Sequence, residues 1–359
     1  MNRKRATTGP ILAGALGATL LLAAAAPGPA GAGSNPPVEP DPEATDLVWP
    51  PPPQPARVRY LRSIATPEDV EGEKGVFGRV WEFVRGPQDE EMRKPMDVVT
   101  DDRGRIYVSD PAAKCVHVFD REEAEYERWE TVDNVDLVLP FGLDTDEEGR
   151  LFVSDSEQRR VFQLERDGDL RRRYGGDELQ RPTDLAVDPA RGRLYVVDTP
   201  AHEIKVYGLR DGRLQRVLGG HGTRPGRFNF PSYVNVDPAG RLYVTDGLNG
   251  RIQVLSPEGE PLGAIGQHGD GSGDFSAPKG VGIDGDGHLY VADAAFDNIQ
   301  VFDRKGRLLL YFGKAGQAPG RFWMPTGVHV DGRDRIYVTD SYNKRIQVFR
   351  YLGGEGGER

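Results

Sequence analysis

Six residues of this chain bring oxygen and nitrogen ligands to matching places in a repeated pattern: Asp97, Asp144, Asp184, Tyr233, Asn235 and His329. Each stands two or four positions after one of the prolines Pro95, Pro140, Pro182, Pro231 and Pro325. In an extended strand these positions share one parity, so their side chains share one face, opposite apolar residues such as Val328 and Val330. Three carboxylates, an amide oxygen and an imidazole meeting at one place form a divalent-cation set. The oxygens suit calcium (Ca2+), and the histidine admits zinc (Zn2+) or a transition metal, with Asp144, Asp184, Asn235 and His329 as the narrower ligand group. The same groups also suit a wet channel or hydrogen bonds between neighbouring elements. No catalytic residue can be assigned, because the chain carries no nucleophile elbow, HExxH, P-loop or paired-cysteine motif.

A second acidic set is more regular. Asp110, Asp155, Asp198, Asp246, Asp293 and Asp340 each follow a short apolar run, such as Ile106-Tyr107-Val108 or Ile336-Tyr337-Val338. A carboxylate present in every copy reads as turn chemistry, since Asp accepts hydrogen bonds from nearby backbone N–H groups. Asp188, Asp237, Asp284 and Asp331, before tight turns, read the same way. His117, His202, His221, His268 and His288 share no spacing and read as solvated or locally satisfied. Cys115 is the only cysteine, so no internal disulfide can form. It takes the place held elsewhere by Arg160, Glu203, Arg251, Asn298 and Arg345, and is expected at the surface as an inert, reactive or metal-binding thiol.

The elements that would position these residues recur in register. Six prolines, Pro95, Pro140, Pro182, Pro231, Pro278 and Pro325, are spaced 45, 42, 49, 47 and 47 residues apart. Each opens a run of short alternating strands; in the last copy these are Thr326–Val330, Arg335–Thr339 and Arg345–Phe349. A fourth strand follows a Gly turn in Arg213–Leu218, Pro261–Ile265 and Arg307–Phe312. Four strands in a repeat of this length is the period of a propeller blade. The motifs P-x-G-V, LYVxD and RIQVF resemble the NHL-repeat family from Pro95 to Phe349. That resemblance implies an all-β fold, a six-bladed β-propeller of four-stranded antiparallel blades. The sixth copy lacks its fourth strand, and Arg57–Ile64 is expected to supply it, so that an N-terminal strand closes the last blade.

The propeller is assigned to residues 56–353, with an atypical insert at 65–94. Within the insert, Gly75–Val84 has the spacing of a short amphipathic helix that packs, caps the channel or meets a partner. Residues 1–32 read as a signal peptide: basic Arg3-Lys4-Arg5, the apolar run Ile11–Ala26, and cleavage after Ala32. The alternative is an uncleaved anchor, the one route to a membrane. A Pro-rich leader at 33–55 and a Gly-rich tail at 354–359 flank the domain. Loss of the three basic residues takes the net charge from −10 to −13, which argues against a nucleic-acid partner.

The family resemblance implies several functions. They include RNA binding, which the acidity disfavours, and a peptide-amidating lyase, which needs histidines on several inner strands where only His329 stands. The first reading is an exported, periplasmic or secreted, binding or scaffold module. Its loop face would engage a protein, peptide or carbohydrate, with Phe228, Phe230, Phe322 and Trp323 as contacts or as plugs between blades. The alternative is a metal-dependent propeller hydrolase or lyase with its site at the channel mouth.

Overall fold

The computed structural model describes residues 47–71 and 91–353; the expected signal peptide, the helix at Gly75–Val84 and the tail at 354–359 lie outside them. The described chain is a ring of six antiparallel blades, with a separate two-stranded hairpin, Thr131–Val132 and Val135–Asp136, between blades one and two. Blade one runs through Asp97–Thr100, Ile106–Asp110, Cys115–Asp120 and Glu125–Trp129, from the axis outward. Blades two to five repeat this order, and each begins its inner strand at its proline.

Blade six closes the ring with strands from both ends of the domain. Pro325–Val330, Arg335–Asp340 and Arg345–Tyr351 are joined by Val58–Ile64, whose register pairs Val58 with Tyr351 and Ile64 with Ile346. A further short strand, Val48–Trp49, adds outside it, so the end of the Pro-rich leader belongs to this sheet. The Trp49 ring packs 5.8 Å from both Phe312 and Phe349, which draws blade five into the closure.

The apolar residues explain why the sheets stand radially. A single small twisted sheet cannot bury both faces, and each blade buries them against its two neighbours. The core accordingly falls into six clusters, one per seam between blades. The seam between blades one and two sets Val99, Tyr107 and Val118 against Leu143, Val153 and Phe162. The aromatic residue of each second strand, Tyr107, Phe152, Tyr195, Tyr243, Tyr290 and Tyr337 in turn, is buried.

The six recurrent aspartates do the structural work expected of them. Asp110 accepts the N–H groups of Lys94 (3.0 Å) and Ala113 (2.9 Å), and Asp198 those of Gln180 and Arg181 (2.9 Å each). Each thereby ties the loop before its blade to the end of the second strand.

Candidate functional site

The inner strands aim the candidate residues at the axis by a local distortion. In five blades the register between the inner strand and its neighbour shifts just after the proline, between Pro231 and Val234 for example. A bulge of this kind turns a side chain out of the regular alternation. Asp97, Asp144, Asp184, Tyr233, Asn235 and His329 all line one axial cavity of about 40 Å³. That is room for a few water molecules or a single ion.

The two positions form two layers. The residues two past the proline lie nearer the loop face and are buried: Asp97, Asp184 and Tyr233. Glycines give them their space. A Cβ on Gly142 would overlap Asp184, and one on Gly327 would overlap Asp97. Tyr233 crosses the axis, its hydroxyl 3.5 Å from the Met96 carbonyl of the opposite blade. The residues four past the proline, Asp144, Asn235 and His329, are half-buried and nearer the hairpin face. His329 also lines a second cleft of about 350 Å³ between blades six and one, with Thr100, Asp101, Asp331 and Arg335.

The polar atoms are directed across the seams. Asp97 accepts the N–H of Leu143 in blade two (2.8 Å), and Asp144 that of Val187 in blade three (2.8 Å). Asp184 accepts the N–H of Val234 in blade four (2.7 Å), and the Asn235 amide donates to the Val281 carbonyl in blade five (2.9 Å). His329 Nε2 lies 2.9 Å from Thr100 Oγ1 in blade one. The second oxygens of Asp97 and Asp144 accept the N–H of the residue that follows, Val98 and Thr145. The set is a chain of inter-blade hydrogen bonds around the axis.

This donor set fits a metal poorly. Both oxygens of Asp97 and of Asp144 already accept backbone N–H groups, and the Asn235 oxygen accepts that of Val236 (2.7 Å). Among the described residues no three His, Cys, Asp or Glu side chains are grouped to hold an ion.

Burial sets the ionisation of the cavity. Loss of water raises Asp97 and Asp144 to about 7 and lifts Asp184 well above the carboxylate range. The same cause holds His329 down to about 4. A carboxyl raised in the folded state binds its proton more tightly there than in the unfolded chain. Its contribution to stability is therefore full below the ordinary value near 4 and is lost as pH rises toward 7. His329, lowered, acts in the opposite sense between about 4 and 6.5. Comparison with Asp144→Asn isolates one carboxyl. Wild type is expected to lose roughly 2–4 kcal/mol more than this variant between pH 4 and pH 7, measured by urea unfolding. Parallel pH profiles would contradict this.

Cys115 corrects the expectation of a surface thiol. It is fully buried, and burial pushes its thiol up to about 12. In blade six the same place holds Arg345, whose guanidinium bonds Asp340 (2.8 Å), with Gln347 bonding the same carboxylate (2.9 Å). In blade one, Cys115 and His117 replace that pair. The His117 imidazole lies 3.5 Å from Asp110 and from Cys115 Sγ, and 2.8 Å from the Tyr126 hydroxyl. In blades four and six the position is polar because its arginine bonds the buried aspartate, Arg251 to Asp246 and Arg345 to Asp340 (2.8 Å each), not because it faces solvent.

The aromatic residues divide. Phe228, Phe275 and Phe322 are fully buried plugs at consecutive seams. Phe230, Trp323 and Tyr342 are 45%, 47% and 47% exposed, and Leu248 is 66% exposed. All four stand on the loop face, either just before an inner strand or between the second and third strands. The Trp323 and Tyr342 rings lie 5.4 Å apart, and Lys94 Nζ sits 5.1 Å above Tyr342. Trp323 and Tyr342 were hidden as a pair in the sequence, because contact between them depends on two loops of blade six folding together; Tyr342 N–H donates to the Trp323 carbonyl (3.2 Å).

The fold defines the class of protein: a six-bladed β-propeller whose last blade is shared by the two ends of the domain. Residues 98–312 match the SMP-30/Gluconolactonase/LRE-like region, and residues 322–349 match the NHL repeat. The chain belongs to the SMP-30/gluconolactonase/LRE-like family, with an NHL repeat in its last blade. NHL repeat-containing protein 3 of Mus musculus is 36% identical over 90 residues, 24% of this chain and 26% of that protein. The match thus spans about a quarter of that relative's length. Two solved structures share the fold. A catalytically inactive virginiamycin B lyase from Staphylococcus aureus with quinupristin is 14% identical, with a TM-score of 0.55, over 74% of this chain and 83% of its own. An auxiliary nutrient binding protein from Bacteroides thetaiotaomicron is 15% identical, with a TM-score of 0.58, over 73% of this chain and 70% of its own.

Proposed function

We propose that this protein is an exported propeller that binds a protein, peptide or carbohydrate partner on its loop face, as a binding or scaffold module. The observation that carries this reading is the exposed apolar residues on that face, Phe230 and Leu248 on blade four and the paired rings of Trp323 and Tyr342 on blade six. Aromatic side chains clustered at the surface offer large contact area at low entropic cost, and they are enriched where partners dock. The signal-like residues 1–32 support export. A protein described as an auxiliary nutrient binding protein shares the fold. A metal-dependent hydrolase or lyase at the channel mouth is the weaker reading, because the cavity carboxylates already serve the neighbouring blades.

A photoreactive benzophenone side chain tests the location. Introduced at position 323 or 342 in producing cells, it is expected to give a discrete adduct on irradiation. Introduced at position 333, on the hairpin face, it is expected to give none. The reverse pattern would sink the proposal.

A further inference from the structure

The outer strands of the blades present backbone edges, and most of them are guarded. Glu125–Trp129 carries Glu127 and Arg128, Leu170–Gly175 carries Arg171, Arg172 and Arg173, and Leu214–Gly219 carries Arg216. Charged edges of this kind block pairing with a foreign strand. In blade six the edge is covered by Val48–Trp49. The outer strand of blade four, Pro261–Ile265, has neither protection. Where its sisters carry Glu127, Arg172, Arg216 and Leu310 it has Gly263, and where they carry Arg128, Arg173, Val217 and Tyr311 it has Ala264.

The small residues open a groove of about 220 Å³ between blades four and five. Its floor is apolar, with Val254, Ile265 and Leu289, and Leu262 beside it is 58% exposed. A Cβ on Gly263 would meet nothing within 4 Å. The rim is cationic. Arg241 is paired with Asp237 (2.6 Å) and Asp303 with Arg307 (2.6 Å), which leaves Arg304 and Lys305 without a carboxylate partner among the described residues.

We infer that this edge and groove form a second binding site, separate from the loop face, for an extended peptide strand. The strand pairs with the free backbone groups of Pro261–Ile265, sets an apolar side chain in the groove and places an acidic side chain beside Arg304 and Lys305. Val48–Trp49 already adds to blade six in this way. The cationic rim selects an acidic strand over a second copy of this chain, whose own Arg304 and Lys305 would face like charges across a symmetric edge.

The test uses a fluorescein-labelled heptapeptide of alternating valine and glutamate, and a valine–lysine counterpart, titrated by anisotropy against the full chain. The glutamate peptide is expected to bind at least tenfold more tightly and to protect the amides of residues 262–265 from hydrogen exchange. Gly263→Trp is expected to weaken binding at least tenfold with an unchanged thermal transition, and Arg304→Glu with Lys305→Glu to reverse the preference; this charge variant serves alone if the tryptophan variant fails to fold. Equal binding of both peptides, protection elsewhere, or unchanged affinity in these variants would overturn the inference. Concentration-dependent protection of 262–265 without peptide would overturn it too, in favour of a second copy.

Discussion

A chain beginning at Ala65 is expected to lose the cooperative thermal transition seen in a chain beginning at Gly33. Val58–Ile64 is the fourth strand of blade six, and without it Ile346, Val348 and Phe349 lose the layer that covers them. Three side chains of that strand, Val58, Tyr60 and Ile64, are buried. At roughly 1.5–3 kcal/mol for each buried side chain, their loss approaches the ~5–15 kcal/mol net stability of a typical domain. The strand also joins the two ends of the domain, so its loss lets the ring open at a single seam. Circular dichroism on heating is the measurement. A synthetic peptide of residues 47–64, added in trans, is expected to restore the transition. A truncated chain that melts within a few degrees of the longer one would contradict the closure.

Asp340→Ala is expected to cost about 3–5 kcal/mol, the range for removing one partner of a buried ion pair. The carboxylate is fully buried and accepts from Trp323 N–H (2.8 Å), Asn343 (2.9 Å), Arg345 (2.8 Å) and Gln347 (2.9 Å). Its removal leaves the Arg345 guanidinium buried beside no counter-charge, and it frees the loop that carries Trp323. Asp303→Ala, which removes a half-buried turn carboxylate whose partner Arg307 is exposed, is the control and is expected to cost much less than Asp340→Ala. Urea unfolding of both variants checks the contrast. Equal stability of Asp340→Ala and wild type would mean that the recurrent aspartates are not structural.

Much of this architecture was legible from the chain because a propeller writes the same physical requirement six times. The proline spacing marked the blades, and the strand-ending aspartates marked the turns, since each copy must satisfy the same backbone N–H groups. Ring closure could be read from Arg57–Ile64 because an incomplete last repeat needs an outer strand from elsewhere.

What escaped the sequence depends on distances across seams. Parity placed Asp97, Asp144 and Asp184 on one face, and it could not show that each reaches a backbone N–H of the next blade. Cys115 was misplaced because polar residues at its position in the other blades suggested solvent, whereas two of them, Arg251 and Arg345, turn inward to a buried carboxylate. The division between Phe228 and Phe230 did leave a signal. Phe228, Phe275 and Phe322 recur every 47 residues, as a scaffold plug must, and Phe230 and Trp323 do not follow one residue type at their places.

The axial residues hold the blades together, and the binding proposed for this protein lies on the loop face. Photo-cross-linking from position 342, repeated in two backgrounds, tests it most directly. Asp144→Asn with His329→Gln alters the axis, and Trp323→Ala alters the face. The adduct is expected to persist in the first background and to fall at least tenfold in the second. Loss of the adduct in the axial variant, with its retention in Trp323→Ala, would contradict the account and return the function to the channel.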